Sequence, residues 1–352
     1  MNSCGSYIHI PFCGTKCFYC DFFSRVADNG TIEKYLADLI KQIKSARYEN
    51  FRVESIYIGG GTPSLLSGDA VPKIAEAVNM TFSVDPDAEF TVEVNPESVS
   101  VAFIKKAMSC GVNRVSIGVQ SFDDIELKTL GRRSRAAEAK KAFSMIRDAG
   151  ITNINTDIML AIPGQTESSL EKTLCGLISL SPEHVSAYLL KIEDNTVYGK
   201  KGVQEAPEEV QREMFFFTSN FMRDAGYEHY EISSYAKPGF RSRHNLGYWQ
   251  LKPCFAFGAG AHGFDGHERY YYDKNIGDFF EKKTEEYLDE KALAEERIML
   301  GLRTSDGVCI PPDKISYADF LVKHGYMLKI GKNYALTDEG FLVSNKIIAD
   351  IL

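Results

Sequence analysis

Three cysteines near the start of the chain lie close enough in sequence to share one metal site. Cys13, Cys17 and Cys20 have a C-x3-C-x2-C spacing in the segment IHIPFCGTKCFYCDFF. A structural zinc ion usually takes four nitrogen or sulfur ligands, and the alternation of a predicted strand turns the nearby His9 away from this loop. A [4Fe–4S] cluster bound by three thiolates keeps one iron free for a small molecule. The spacing therefore favours a cluster, with zinc and no metal as the alternatives.

The remaining five cysteines are isolated in the sequence. Lone cysteines are most often buried and behave as small apolar residues. We therefore interpret them as core residues, namely Cys4, Cys110, Cys175, Cys254 and Cys309.

Polar residues and glycines stand at the ends of several predicted strands. They are Gly60, Gly61 and Thr62 in YIGGGTPSLLS, Glu93 in FTVEVNP, Gln120 in RVSIGVQS and Asp157 in NINTDIMLAIPG. The carboxyl ends of parallel strands open onto one face, so these residues and the cysteine loop are expected to surround one ligand site. Each alone could be only a turn or a satisfied hydrogen bond. Arg132, in LKTLGRRSRAAE, begins a helix and by itself indicates a surface charge.

Strand and helix patterns alternate six times, which predicts an α/β fold. The predicted strands are Tyr7–Ile10, Ser55–Ile58, Glu89–Val94, Arg114–Val119, Asn153–Met159 and His184–Leu189. Amphipathic helices separate the strands, the first of them with Thr31 as its N-cap. Six such units predict a parallel sheet with right-handed crossovers, closed into a partial (β/α)6 TIM-like barrel.

The composition of the chain changes after the sixth unit. We predict a core domain over residues 1–235 and a connecting segment rich in glycine and aromatic residues over 236–285. Residues 286–352 then read as helix, helix, hairpin and helix, which indicates a small winged-helix-like α+β domain. Acidic residues outnumber basic ones in this last domain, so a structural or lid role is favoured over DNA binding.

The overall composition excludes several classes of protein. The chain has 48 acidic and 40 basic residues, a net charge of −8 and a pI of about 5.5, which disfavours general binding to nucleic acid. No run of about 18 apolar residues indicates a membrane span, and the N-terminus shows no secretory signal. These features predict a cytoplasmic protein that is not an integral membrane protein.

Taken together, the motifs resemble those of the radical S-adenosylmethionine (SAM) superfamily, in its oxygen-independent coproporphyrinogen oxidase-like branch. The resemblance runs through nearly all 352 residues and rests on YIHIPFCGTKCFYC, GGGTPS, EVNPE, RVSIGVQSFDD, LGR and IPGQT. In this superfamily the three cysteines bind a [4Fe–4S] cluster whose fourth iron chelates SAM. Electron transfer to the sulfonium then cleaves SAM to methionine and a 5′-deoxyadenosyl radical.

The resemblance also implies a set of site residues. Cys13, Cys17 and Cys20 match the cluster ligands. The positions that match SAM contacts of the family are Tyr7, Tyr19, Gly60, Gly61, Thr62, Glu93, Gln120, Arg132 and Asp157. The chain departs from the pattern of the branch at Phe23, where asparagine is usual, and at Ser134, where histidine is frequent.

Two groups within the branch have to be separated. The decarboxylases carry a fourth cysteine two residues after the third, and this chain has Phe22 there. The heme chaperones carry HNxxYW, which matches His244, Asn245, Tyr248 and Trp249, the last being the single tryptophan. A histidine can ligate heme iron and aromatic residues can cover a porphyrin face. The nearby His262 leaves the identity of the iron ligand open.

The resemblance therefore implies a heme chaperone that binds heme, a [4Fe–4S] cluster and SAM. Such a protein would deliver heme to a membrane protein of the respiratory chain, and a second copy of the chain is a candidate partner in a homodimer. The alternative is an oxygen-independent coproporphyrinogen III oxidase, an enzyme that converts propionates to vinyl groups. The absent fourth cysteine and the HNxxYW motif favour the chaperone.

Overall fold

Six parallel strands, each followed by helical structure, build the first part of the chain. The computed structural model describes residues 2–48 and 50–352. The strands are β1 (Asn2–Ile10), β2 (Phe51–Gly60), β3 (Ser83–Val94), β4 (Arg114–Gln120), β5 (Asn153–Leu160) and β6 (His184–Leu189). The helices between and after them are α1 (Asn29–Ser45), α2 (Ala70–Thr81), α3 (Val101–Ser109), α4 (Asp124–Thr129), α5 (Ala136–Asp148) and α6 (Glu167–Leu180).

The strands pair in chain order from β1 to β6, and every pair is parallel. Valine and isoleucine on the outer faces pack against the helices, as a parallel sheet covered by crossovers requires. This arrangement confirms the predicted α/β fold with a partial (β/α)6 barrel. The first helix begins one turn earlier than predicted. Its N-cap is Asp28, whose carboxylate accepts a hydrogen bond from the backbone N–H of Thr31, so the prediction of Thr31 as N-cap was wrong.

The sheet extends beyond the barrel on both edges, which the sequence patterns did not predict. The further elements are α7 (Val197–Lys200), α8 (Glu208–Asp224), β7 (Glu228–Glu231), β8 (Ser234–Ala236), α9 (Arg243–Trp249), β9 (Cys254–Phe257), β10 (His262–Phe264), β11 (Glu268–Tyr271) and β12 (Lys283–Tyr287). β8 pairs antiparallel with β6, and β9 pairs parallel with β1. The result is a sheet of twelve strands in the order β12-β11-β10-β9-β1-β2-β3-β4-β5-β6-β8-β7.

The end of the chain has a hydrophobic cluster of its own. Its elements are α10 (Glu290–Gly301), α11 (Ile315–Lys323), β13 (Met327–Ile330), β14 (Asn333–Leu336), α12 (Asp338–Leu342) and α13 (Ser344–Ile351). The strands β13 and β14 form an antiparallel hairpin, as the sequence predicts. Phe215 of α8 joins this cluster, which fixes it against the barrel. The domain boundaries at residues 235 and 285 stay predictions.

Candidate functional site

The cysteine loop lies between β1 and α1, above the carboxyl ends of the strands. Backbone hydrogen bonds hold it in place, including one from Cys13 N–H to the carbonyl of Arg25 at 3.0 Å. All three cysteines line one cavity of about 470 Å³. We call it the upper cavity, bounded by the cysteine loop, the Gly60–Thr62 turn and the ends of β3, β4 and β5.

The cysteine positions suit a group larger than a single ion. Within residues 2–48 and 50–352, no three His, Cys, Asp or Glu side chains converge closely enough to hold one metal ion. Cys13, Cys17 and Cys20 instead stand around the same cavity, as ligands to the separate irons of a cluster must. Burial raises the pKa of the Cys20 thiol to about 11. A cationic metal group would offset that cost, because it binds the thiolate. The thiol donor set therefore fits an iron–sulfur cluster.

Two polar groups donate toward the cysteine sulfurs. The Thr62 hydroxyl lies 3.6 Å from Cys13 Sγ, and Arg132 Nη1 lies 3.7 Å from Cys17 Sγ. Arg132 also donates from Nη2 to the carbonyl of Gly118 at 2.7 Å and to Asn95 Oδ1 at 3.0 Å. Its Nε is buried without a partner. The guanidinium is therefore held in the wall of the upper cavity.

The glycines of the Gly60–Thr62 turn are required by the protein's own packing. Gly60 has φ +107°, and a Cβ there would overlap the His9 ring. A Cβ on Gly61 would stand 2.5 Å from the carbonyl oxygen of Phe12. The sequence analysis expects these glycines beside a ligand site, and packing within the protein is a second reason for them. The turn also lines the upper cavity, but its lack of side chains lets β2 pass close to β1 and the cysteine loop.

Glu93 is a buried carboxylate at the boundary of the upper cavity. Its Oε1 accepts a hydrogen bond from the Tyr57 hydroxyl at 2.7 Å, and its Oε2 accepts one from Gly60 N–H at 3.0 Å. Burial, with a smaller effect from the nearby carboxylate of Asp157, raises the pKa of Glu93 to about 7 in spite of these hydrogen bonds. An unliganded Glu93 is therefore only partly ionised at neutral pH, and a bound cation would favour its charged form.

Asp157 approaches the same cavity from β5. It accepts hydrogen bonds from the Ser116 hydroxyl at 3.1 Å and from Asn155 Nδ2 at 2.8 Å. Burial raises its pKa as well, in spite of these donors. Glu93 and Asp157 thus make the interior of the cavity favourable for a cationic ligand such as a sulfonium.

Gln120 adopts a strained backbone conformation at the end of β4. Its φ is +69°, in the left-handed region that residues other than glycine seldom occupy, and the β4–β5 register shifts between Gly118 and Gln120. Backbone strain of this kind costs about 1–3 kcal/mol and clusters at functional sites. The shift directs Gln120 into the upper cavity.

Most of the predicted SAM residues line the upper cavity, and Tyr7 does not. The residues brought together there are Tyr19, Gly60, Gly61, Thr62, Glu93, Gln120, Arg132 and Asp157, with the three cysteines. The Tyr7 hydroxyl forms a hydrogen bond with His9 Nδ1 at 2.9 Å, so its polar atom is engaged inside the protein. Phe22, which replaces the decarboxylase cysteine, lines the cavity and is 69% exposed.

His244 lies at the opposite end of the barrel from the cysteine loop. Its ring contacts Ser55 of β2, and Ser55 pairs with Glu89 of β3. Each of these two residues stands five positions before the end of its strand. The Glu89 carboxylate accepts hydrogen bonds from the backbone N–H groups of Arg243 and His244, both at 3.0 Å. A carboxylate at a helix N-terminus is favourable, because it satisfies donors that the helix cannot pair itself. Helix α9 therefore closes the floor of the barrel.

The His244 ring is buried and both of its nitrogens have partners. Nδ1 lies 2.9 Å from the Ser55 hydroxyl, Nε2 lies 3.1 Å from the Tyr248 hydroxyl, and the ring stacks on Tyr57 at 5.0 Å. Burial lowers the pKa of His244 to about 4, so the imidazole is neutral. A neutral imidazole suits a metal ligand, but coordination through Nε2 requires the Tyr248 hydroxyl to move away.

The four HNxxYW residues do not face one cavity. His244 and Tyr248 line a pocket of about 220 Å³ on the floor, Asn245 faces the interior of the barrel, and Trp249 lines a separate surface pocket. His262 is exposed on β10 and lies 3.2 Å from the Glu285 carboxylate.

Several site residues were missed by the sequence analysis. They are Asn95, which links Thr62 to Arg132, together with Tyr57, Ser116 and Arg114. Each has its partner in a distant segment of the chain, so only the three-dimensional structure connects them. A signal was available for Asn95, which lies within the quoted EVNPE motif.

The isolated cysteines are only partly a core set. Cys4 and Cys254 are buried, as predicted, and Cys110 is half-buried. Cys175 and Cys309 are exposed, so their prediction as core residues was wrong. Cys175 belongs to α6, whose buried face is formed by Leu170, Leu174 and Leu177.

Membrane-spanning helices are absent from the part of the chain that the structure describes. None of the helices there combines the length and the apolar character that crossing a membrane requires.

Comparison with known proteins agrees with the geometry. The Radical SAM superfamily profile matches residues 7–174. The "Heme chaperone HemW" of Lactococcus lactis is 33% identical over 99% of this chain and 97% of its own length. The protein of that name from Escherichia coli is 40% identical over 73% of this chain and 69% of its own. Among solved structures, E. coli coproporphyrinogen III oxidase (HemN) superposes with a TM-score of 0.84 at 18% identity, covering 99% of this chain and 89% of that one.

Proposed function

This chain belongs to the radical SAM superfamily and, within it, to the family of the heme chaperone HemW, and on that premise we propose that it is a heme chaperone. The observation that carries the proposal is the 33% identity to a HemW protein over 99% of this chain. The protein would act in the cytoplasm. It would bind heme, a [4Fe–4S] cluster and SAM, and would pass heme to a membrane protein of the respiratory chain. We expect the protein to act as a homodimer.

The upper cavity supports the cluster and SAM parts of the proposal. Cys13, Cys17 and Cys20 would hold the cluster, which supplies one-electron reduction of the bound sulfonium. Arg132 would attract the carboxylate of SAM from the cavity wall, and Glu93 would attract a cationic part of the same molecule. Because the cavity walls are fixed by buried hydrogen bonds, these residues are already held in position before a ligand binds.

A direct test is to reconstitute the full chain with iron and sulfide under nitrogen and to add SAM. We expect about four irons per chain and a change in the spectrum of the iron centre when SAM is added. Cys17→Ser should lose the cluster, and a variant that still held four irons would contradict the assignment. The exposed Cys175→Ser is the matched control and should leave the iron content unchanged.

The heme part of the proposal is tested by titrating heme into variants at the barrel floor. If His244 Nε2 binds the iron, His244→Ala should weaken heme binding and change its absorption spectrum. Tyr248→Phe removes the hydroxyl that occupies Nε2 and should preserve or strengthen binding. Ser55→Ala removes only the Nδ1 partner and controls for disturbance of the floor. Unchanged heme binding in His244→Ala would remove His244 as the ligand.

The enzyme alternative is tested with its own substrate. Reconstituted protein is incubated with coproporphyrinogen III, SAM and a reductant under nitrogen, and the porphyrins are separated. We expect no protoporphyrinogen, because Phe22 stands where the decarboxylases have their fourth cysteine. Formation of protoporphyrinogen would overturn the chaperone proposal in favour of the oxidase.

A further inference from the structure

A buried histidine connects helix α9 with the carboxylate that β5 contributes to the upper cavity. His184 is the first residue of β6, and its side chain is fully buried. Its Nε2 lies 2.7 Å from the hydroxyl of Tyr230 in β7, and its Nδ1 lies 2.6 Å from Oδ1 of Asn155 in β5. His184 lines neither the upper cavity nor the pocket on the barrel floor. Any effect it has on a ligand must therefore pass through its neighbours.

The Asp157 carboxylate determines how the Asn155 amide is turned. An ionised carboxylate only accepts hydrogen bonds, and Asn155 Nδ2 donates to Asp157 Oδ1 at 2.8 Å and to the Ser116 hydroxyl at 2.7 Å. Ser116 in turn donates to Asp157 Oδ2 at 3.1 Å. The carbonyl oxygen of the Asn155 amide therefore faces His184. Because a carbonyl oxygen only accepts, Nδ1 is the ring nitrogen of His184 that holds the proton.

Tyr230 supplies the donor that this tautomer of His184 needs. Burial, and next the charge of Arg114, lower the pKa of His184 well below its usual range, so the ring is neutral. With its proton on Nδ1, the ring accepts at Nε2, and the Tyr230 hydroxyl donates there. The Tyr230 oxygen accepts from the backbone N–H of Ser242 at 3.3 Å, and Ser242 is the N-cap of α9. The donors thus point in one direction, from the start of α9 to Asp157.

The other tautomer of His184 would disturb the Asp157 carboxylate. With the proton on Nε2, the lone pair of Nδ1 would face the carbonyl oxygen of Asn155, and the amide would have to rotate. Its oxygen would then face Asp157, which would lose a donor and gain a repulsive neighbour.

We propose that His184 is a positioning residue of the upper cavity. By holding its proton on Nδ1, it keeps the Asn155 amide turned so that Asn155 donates to Asp157, and the carboxylate is held ready for a cationic ligand. This inference rests on the proposed function, in which that ligand is SAM, and it adds a residue that lies outside all the quoted motifs.

Two variants of His184 separate the roles of its ring nitrogens. The asparagine amide bears its nitrogen where the ring has Nδ1, whereas the longer glutamine amide reaches the position of Nε2. His184→Asn should bind SAM within about twofold of the wild type, and His184→Gln about tenfold more weakly, because a charged acceptor loses a fixed donor. Calorimetric titration of the reconstituted full-length proteins under nitrogen measures the affinities. Equal affinities of the two variants, or weaker binding by His184→Asn, would overturn the proposal, because a purely structural histidine predicts no such order.

A second measurement needs neither SAM nor a variant that folds poorly. In ¹⁵N NMR spectra of the wild type, the ring of His184 should hold its proton on Nδ1 between about pH 6 and pH 8. Its signals are identified among those of the seven histidines by their absence from His184→Asn. A proton on Nε2 would contradict the proposal even if His184→Gln failed to fold.

The Asp157 carboxyl gives a further readout without SAM. Followed by ¹³C NMR, it should titrate at a higher pH in His184→Gln than in His184→Asn, because its charged form loses a donor. The charged groups facing it, Glu93 and Arg114, are the same in both variants. Identical titration would sink the positioning role. If the wild type met these NMR expectations but did not bind SAM, the proposed function would fail and the role of His184 toward Asp157 would stand.

Discussion

Glu93 shows how burial can tune one residue for a cationic ligand. With a pKa raised to about 7, it passes from mostly neutral to mostly charged between pH 6 and pH 8. A cation favours the charged form, so we expect the affinity for SAM to rise across this range. Glu93→Gln should bind SAM more weakly and lose most of this pH dependence. Calorimetric titration of the reconstituted protein at pH 6, 7 and 8 measures both effects.

The raised pKa of Glu93 leads to the opposite pH trend for the stability of the unliganded protein. A carboxyl whose pKa is raised on folding stabilises the protein below its unfolded pKa, and that contribution is lost as the pH rises through about 7. The free energy of unfolding of the unliganded wild type should therefore decline between pH 6 and pH 8 more than that of Glu93→Gln. Parallel curves for the two proteins would show that Glu93 is not the group responsible.

Arg132 depends on the shape of its side chain as well as its charge. One nitrogen, Nη2, donates to both Gly118 and Asn95, and Nη1 points to Cys17 Sγ. A lysine has no planar fork to hold these contacts together. Arg132→Lys should weaken SAM binding about 10- to 100-fold, corresponding to roughly 1.5–3 kcal/mol for hydrogen bonds of a charged group. Arg135→Lys, at an exposed position outside the upper cavity, is the matched control and should change the affinity by less than about twofold.

At the scale of an element, the end of β2 tolerates no side chain at Gly60. Gly60→Ala combines a strained φ with an overlap on the His9 ring. We expect it to lower the free energy of unfolding by more than about 3 kcal/mol, beyond the usual cost of strain alone. Gly226→Ala is the control, because Gly226 has φ +86° but open space around it and should lose only about 1 kcal/mol. Equal losses in denaturant titrations would show that the His9 contact does not matter.

Helix α9 depends on one carboxylate for its position on the barrel floor. Glu89 accepts from the N–H groups of Arg243 and His244, and the Ser242 hydroxyl lies 3.4 Å away. Glu89→Gln replaces an ionised acceptor by a neutral amide and should cost about 1–2 kcal/mol of stability. It should also release the His244 ring, which the imidazole signals in NMR spectra would report. The exposed Glu76→Gln in α2 serves as the control and should change neither quantity.

The elements differ in how far the sequence could predict them. The six barrel strands and their helices were predictable, because each shows a continuous apolar run or a regular helical period. Strands β9 to β12 were missed, because they are short and their pairing depends on distant segments. The same limit applies to the site. Glu93 and Asp157 could be predicted as site residues because they lie in motifs. Arg114 stands at the start of an ordinary strand pattern, and its burial inside the barrel is visible only in the folded structure.

At the scale of the whole molecule, Tyr57 connects the two ends of the barrel at which we propose ligand binding. Tyr57 donates to Glu93 of the upper cavity and stacks on His244 of the floor. Glu89, which binds the N-terminus of helix α9, lies four positions before Glu93 in β3, or about 13 Å along the strand. The proposed SAM site and the proposed heme residues are therefore neighbours through the barrel interior, although they open on opposite sides.

One carboxylate connects the C-terminal elements to the barrel through several hydrogen bonds. Asp338, at the start of α12, accepts from Ser219 and Arg223 of α8 at 2.5 Å each, and lies 2.8 Å from His229 Nδ1 in β7. These hydrogen bonds lower the pKa of Asp338 well below its usual range. A lowered carboxyl pKa stabilises the folded protein above the unfolded pKa, and the contribution is lost as the pH falls toward the folded value.

Replacing Asp338 should therefore weaken the attachment of the C-terminal elements to α8 and β7 without disturbing the barrel. Asp338→Asn removes a charge that Ser219, Arg223 and His229 share, and we expect a loss of about 2–3 kcal/mol at pH 7 that is smaller at pH 3, where the unfolded chain is already mostly protonated at this position. The neighbouring Glu339→Gln breaks only the exposed pair with Arg212 and should cost less than about 1 kcal/mol. Denaturant titrations at both pH values measure the losses, and limited proteolysis between β12 and α11 reports whether the C-terminal elements detach. Equal losses for the two variants at pH 7 would mean that apolar packing around Phe215, and not Asp338, holds the two parts together.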